Sequence, residues 1–189
     1  MKIFLISGKA ESGKDTFHNI GADYIEATQP QLIPVRIAFA DAVKQSAKDM
    51  GWNGEKDDNG RSGLIMIGDG ARKYFDPLIW VKKAVNKLES YHYSNTRRDD
   101  FVIFITDCRY PNEVDMLKEW AEQKGVKAYA LRVERPNHIS KLTKEQLLND
   151  SEIALDNYGQ WDFIVENSGT YQDFIDSVET VIDCVVEGK

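Results

Sequence analysis

Near the amino terminus, Gly8-Lys9-Ala10-Glu11-Ser12-Gly13-Lys14-Asp15-Thr16 carries the spacing G-x-x-x-x-G-K. Small residues let consecutive backbone N–H groups converge on phosphate oxygens. A following helix adds its positive end, and Lys14 supplies a mobile cation for β- and γ-phosphates. Gly8, Ser12, Gly13 and Lys14 are the first candidate phosphate contacts. Where a serine or threonine hydroxyl ordinarily ligates Mg2+, Asp15 stands instead, with Thr16 one place later. Either the Asp15 carboxylate or the Thr16 hydroxyl is expected to meet the metal. Glu11 brings negative charge to the loop, so its side chain should point to solvent or pair with Lys9.

A phosphate loop implies a nucleotide but not a reaction. The run Thr106-Asp107-Cys108-Arg109-Tyr110-Pro111-Asn112-Glu113 follows an apolar segment and would lie beside that loop, because ligands of open α/β sheets bind outside the carboxyl ends of the strands. Asp107 can there hold a metal-bound water or orient a substrate, and Arg109 can neutralise a phosphoryl group in flight. Asp41 and Lys44 share one helix face at i and i+3. Arg72 precedes Asp76-Pro77, and Arg132 and Arg135 open an irregular stretch. Together these cations can serve two phosphate-bearing substrates. Trp80 alone reads as core rather than as a base-stacking platform, and His18, His92 and His138 lack metal-ligand spacing.

Elements with defined edges must position these groups. Ile3 to Ile6 and Phe101 to Ile105 are apolar runs without alternation, the pattern of strands buried on both faces; Val35 to Phe39, Val126 to Val133 and Phe163 to Val165 are weaker strands. Helical periods lie between them: Leu78, Val81, Val85 and Leu88; Val114, Leu117 and Ala121; Phe174, Val178, Val181 and Val185. Asp76 before Pro77 reads as an N-cap with proline at the first helical position, and Thr170 with Asp173 as a capping box. Alternating strands and helices predict one α/β domain over residues 1–189, built on a mostly parallel sheet. Asn53 to Gly63 and Glu134 to Asn149 break the rhythm and read as exposed loops or flaps.

The whole chain, at 189 residues, suits one ordinary domain. Its net charge of −7 and pI near 5.0 argue against an extended basic footprint for duplex nucleic acid or anionic lipid. Cys108 and Cys184 fit neither a disulfide framework nor a zinc site, which points to a reducing cytoplasm. Met1 to Ser7 holds too few apolar residues for a signal peptide or a membrane span.

The loop ending in Ser12-Gly13-Lys14-Asp15-Thr16, the Asp-x-Arg-x-x-Asn-Glu run from Asp107 to Glu113, the Arg72 to Trp80 segment, Ser151-Glu152 and the closing Asn167-Ser168-Gly169-Thr170 resemble bacteriophage deoxynucleoside monophosphate kinases. These belong to the P-loop nucleoside monophosphate kinase group. The resemblance runs from Lys2 to about Val185 and is weak over Asn53 to Gly63 and Pro136 to Asp150. It implies a three-layer fold with a five-stranded parallel sheet, an acceptor-binding helical segment over about 41–92, and a lid over about 134–151. It further implies transfer of the ATP γ-phosphoryl to a dNMP, with Mg2+ as cofactor, in the cytoplasm, or in the host's if the chain is phage-encoded. Gly13, Lys14, Asp15 and Thr16 would bind ATP phosphates and metal. Arg132 and Arg135 would serve the lid, with Arg135 joining Lys14, Asp107 and Arg109 in the chemistry, and Asn167, Gly169 and Thr170 would border adenine. Lys9, Asp41, Lys44, Arg72, Trp80 and Glu152 would lie on the acceptor side. The resemblance leaves room for a homodimer. A kinase for another small phosphorylated acceptor such as phosphomevalonate, and a nucleotide-binding regulatory ATPase, remain open alternatives.

Overall fold

The computed structural model describes residues 1–94 and 98–188. In chain order the elements are β1 (Lys2–Ser7), α1 (Lys14–Thr28), β2 (Ile33–Ile37), α2 (Phe39–Asp49), α3 (Asp58–Tyr74), α4 (Ile79–His92), β3 (Phe101–Cys108), α5 (Pro111–Gln123), β4 (Lys127–Glu134), α6 (Lys144–Leu147), α7 (Asp150–Ile153), β5 (Phe163–Glu166) and α8 (Tyr171–Val186). The strands form one five-stranded parallel sheet in the order β2-β3-β1-β4-β5. All five expected strands are present, and the fold is the expected α/β architecture.

Alternation along the strands divides the core between two faces. Ile3, Leu5, Ile103 and Ile105 pack with Trp80, Val81, Leu88, Val114 and Leu117 of α4 and α5. Phe4, Ile6, Val102 and Phe104 pack with Phe17, Ile20, Phe174 and Val178 of α1 and α8. On that second face the rings of Phe4 and Phe104 stack with centroids 5.0 Å apart. Both sides are therefore covered, which is why β1 and β3 read as unbroken apolar runs.

Three boundaries correct the sequence reading. β2 ends at Ile37, and Phe39 instead starts α2, because the Asp107 carboxylate accepts from Phe39 N at 2.8 Å and Ala40 N at 2.7 Å. Much of the loop expected at Asn53 to Gly63 is helical: Asp57 accepts from Gly60 N at 2.7 Å and starts α3 at Asp58. Asp76 does not cap a helix beginning at Pro77. Its carboxylate accepts from Leu78 N and its carbonyl from Ile79 N, closing a turn before α4. The capping box at Thr170 and Asp173 is present at the start of α8. Within 134–151, Thr143 and Asn149 cap the short helices α6 and α7.

The chain leaves β1 for the side of β3 and later crosses β1 to reach β4. The resulting crevice lies at the carboxyl ends of β1 and β3. The phosphate loop, Arg109, Arg135 and Asn167 each follow the end of a strand there. Among the described residues no helix is long and apolar enough to cross a membrane.

Candidate active site

The loop after β1 is seated on the ends of β4 and β5. Gly8 has φ 151°, and a Cβ there would collide with Val133 O and lie 2.5 Å from Ser12 Oγ. Gly13, at φ 111°, would bring a Cβ within 2.7 Å of Asn167 Nδ2. Asn167 donates from Nδ2 to Ser12 O at 3.0 Å and from its backbone to Glu134 O at 2.7 Å. Lys14 is nearly buried and donates to Gly8 O at 2.7 Å and Lys9 O at 2.6 Å. Burial lowers its pKa to about 7, and Arg109 nearby pushes the same way against Glu152, Asp15 and Asp107. Ser12 Oγ is buried with no hydrogen-bond partner, an orphaned hydroxyl inside an anion-binding loop.

Asp15 is exposed at the start of α1 and pairs with Arg36 at 3.4 Å; Thr16 follows it. A carboxylate and a hydroxyl beside a phosphate loop fit Mg2+, which keeps several waters and takes few protein ligands. No cluster of three or more His, Cys, Asp or Glu is assembled for a metal among the described residues.

A cleft of about 260 Å³ opens between this loop, α2 and α3. Glu152 of α7 closes one end. Its Oε2 accepts from Ala10 N at 2.8 Å, and its Oε1 accepts from Arg109 Nη1 at 2.6 Å. Asp107 and Arg109 both line this cleft, as strand-end residues should. Burial raises the Asp107 pKa against two opposing N–H donors from α2, so this carboxylate fixes the entry of α2 rather than standing free. Lys44 also lines the cleft and pairs with Asp41 at 3.5 Å; Asp41 also holds Arg36.

Arg72 reaches the same cleft but is heavily engaged. It donates to Glu113 at 2.8 Å, lies 3.5 Å from Asp69, and stacks on the Tyr110 ring at 4.5 Å. Glu113 is almost wholly buried and also accepts from Arg109 N and Tyr110 N. Burial raises the Glu113 pKa, while Arg72 and the backbone N–H of Arg109 oppose the rise. Asp69 further accepts from Tyr110 Oη and Asn149 Nδ2. Trp80 is not on the cleft wall, which corrects the place that the resemblance gave it. It is buried in the core, with Nε1 donating to Gly68 O at 3.0 Å.

The end of β4 and the segment after it are held by acids. Arg132 donates to Asp156 at 2.9 Å, Glu134 at 3.2 Å and Leu155 O at 3.0 Å, with its guanidinium 5.7 Å from the Trp161 ring. Lys9 pairs with Asp156 at 2.8 Å, not with Glu11. Glu11 instead accepts from Lys141 N at 3.1 Å and faces His138 Nε2 at 3.2 Å, contacts that lower its pKa. Arg135 donates to Glu11 O at 3.4 Å. A second cleft of about 410 Å³ lies on the other side of the loop, lined by Lys14, Asp15, Thr16, Arg135, Asn167 and Gly169. The Thr170 hydroxyl is occupied by the α8 capping box.

Sequence reasoning missed Glu113 and Asp69 as braces and Lys56 and Arg61 as cleft cations. Pro111 at the first helical position with an acid two residues later could have flagged Glu113 as a first-turn carboxylate. Nothing local flags the others.

No family model matches the chain, and no curated protein matches it in sequence. Solved structures do match along its whole length. Dephospho-CoA kinase from Campylobacter jejuni is 18% identical with a TM-score of 0.55, covering 100% of this chain and 99% of that one. The Mycobacterium tuberculosis APS kinase in complex with AMPPNP and APS is 9% identical with a TM-score of 0.53, covering 98% and 97%. Shikimate kinase from Bacteroides thetaiotaomicron is 14% identical with a TM-score of 0.50, covering 99% and 98%. At these identities the likeness shows the fold: the chain has the fold of the P-loop kinases.

Proposed function

We propose that the protein is an ATP-dependent deoxynucleoside monophosphate kinase, converting ATP and a dNMP to ADP and a dNDP. The observation that carries a two-substrate kinase is the position of the phosphate loop, which forms a wall of two clefts. Lys14, Asp15 and Thr16 face one, and Ala10 faces the other beside Lys44, Asp107 and Arg109. The dNMP as acceptor rests on the sequence resemblance. The APS kinase neighbour, held with AMPPNP and APS, supports ATP as the donor.

In this reading the backbone N–H groups of the loop hold the donor phosphates. Lys14 exchanges the carbonyls of Gly8 and Lys9 for phosphate oxygens. Asp15 or Thr16 would hold Mg2+, which would supply neutralisation of phosphate charge when bound. An oxygen of the acceptor phosphate, largely a dianion near neutral pH, attacks the γ-phosphorus. The bond from that phosphorus to the β–γ bridging oxygen breaks, and ADP leaves. No general base is needed, so positioning and cations carry the step. Arg109 neutralises the transferred group once it releases Glu152, because a carboxylate and a phosphoryl compete for the same donors. The Arg135 segment excludes water when the lid is closed.

Coupled detection of ADP with each of the four dNMPs tests the reading. Expected is ADP release that depends on a dNMP and falls by about 100-fold or more in Lys14→Met. ADP release indifferent to every monophosphate would favour an acceptor-independent ATPase.

A further inference from the structure

We propose that Lys56 and Arg61, together with Lys44, form the subsite that grips the acceptor's phosphate, and that the acceptor is therefore a phosphomonoester. This deepens the kinase reading above and rests on it.

Most of the charges on the cleft already have partners. Asp107 is used by two N–H groups of α2, Asp69 by Arg72, Tyr110 and Asn149, and Glu152 by Ala10 N and Arg109. Arg72, which the resemblance put on the acceptor side along with Lys44, is held by Glu113 and Asp69. Lys56 and Arg61 line the same cleft, and among the described residues neither forms an ion pair. Arg61 spends only Nε, on Lys56 O at 3.0 Å, and keeps both terminal nitrogens for another acceptor. Lys44 has only Asp41, at 3.5 Å, and Asp41 also serves Arg36. Three cations thus line the cleft with one ion pair among them, that of Lys44 with Asp41.

The segment that carries them is built rather than loose. Trp52 donates from its backbone to Ala47 O at 2.9 Å and from Nε1 to Glu55 O at 2.9 Å. Asn53 accepts from Glu55 N at 2.9 Å, and Asp57 caps α3 through Gly60 N. A Cβ on Gly60 would collide with Glu55 O, so the chain can fold over the first turn of α3 only because residue 60 is glycine. This local fold places Lys56 against Arg61. Crowding has an electrostatic cost: partial burial lowers the Lys56 pKa, and Lys44 and Arg61 lower it further, with Asp15 opposing. A phosphate dianion seated among them removes that repulsion and fits the free guanidinium fork. The same wall leads toward Asp15 through Arg36, which bridges Asp41 and Asp15 at 3.4 Å each.

The test uses the full chain and a Lys56→Met/Arg61→Met double variant. Steady-state kinetics should show KM for the best dNMP raised about 100-fold, with KM for ATP within about twofold. Lys56→Arg/Arg61→Lys, which keeps both charges, should recover most of the loss. An unchanged dNMP KM in the Met variant overturns the subsite and leaves the kinase reading standing. Titration with inorganic phosphate, followed by calorimetry with a non-hydrolysable ATP analogue saturating the loop, separates the two claims. Phosphate binding seen in wild type and lost in the Met variant supports the subsite even if no dNMP is phosphorylated. Equal binding by both proteins, or none by either, overturns it.

Discussion

Arg109 donates from Nη1 to Glu152 Oε1 at 2.6 Å, and the other oxygen of that carboxylate accepts from Ala10 N in the phosphate loop. One acid thus joins the strand-end arginine, the loop and α7. Its charge occupies two donors that a transferred phosphoryl group would use. Glu152→Gln keeps the shape and weakens that competition. Binding of a non-hydrolysable ATP analogue should tighten about fivefold, the equivalent of one net hydrogen bond of about 1 kcal/mol. Calorimetry on the purified variant checks this, and weaker binding would mean that Glu152 organises the loop instead of competing for it.

Lys14 supplies a pH dependence with a defined sign. Its folded-state pKa of about 7 lies below the 10.5 of an ordinary lysine, so between those limits the unfolded chain binds more protons and stability from this group rises with pH. Phosphate on the loop favours the ammonium form. ATP binding at about pH 8 should therefore take up close to one proton, falling toward zero at about pH 6. Calorimetry in buffers of differing ionisation enthalpy measures the uptake directly, and Lys14→Met should abolish it.

Arg72 braces Glu113 across the sheet end, so its loss should appear first in stability. Arg72→Ala leaves an almost fully buried carboxylate without its cation and should cost about 3–5 kcal/mol in urea unfolding. Adding Glu113→Gln should return part of that loss. An Arg72→Ala protein of wild-type stability with a raised acceptor KM would return Arg72 to the acceptor phosphate.

These expectations follow how far the sequence could be read. The phosphate loop was legible because its residues are contiguous and its spacing is dictated by a ligand. Asp107 and Arg109 were legible because β3 is an unbroken apolar run whose end could be located. The partner of Glu11 was not, since it lies on a segment 130 residues away that has no periodic pattern. Lys56 and Arg61 were hidden for a different reason. Their stretch is polar and glycine-rich and resembles a solvated loop, yet one aspartate cap and one indole N–H fold it onto α3. The start of α2 was misplaced because its cap comes from Asp107, a residue on another strand.

The indole of Trp52, bonded to Glu55 O, has an optical consequence. Of the four tryptophans, Trp80 and Trp120 are buried in the core, while Trp52 braces the Lys56 segment and Trp161 lies against Arg132 of β4. Two of the four native fluorophores thus stand at separate stations, Trp52 behind the Lys56 segment and Trp161 beside Arg132. Trp52→Phe and Trp161→Phe each remove one of these two over the background of Trp80 and Trp120, so in the proposed reaction the order in which ATP and a monophosphate arrive should be readable by stopped-flow fluorescence without an added dye.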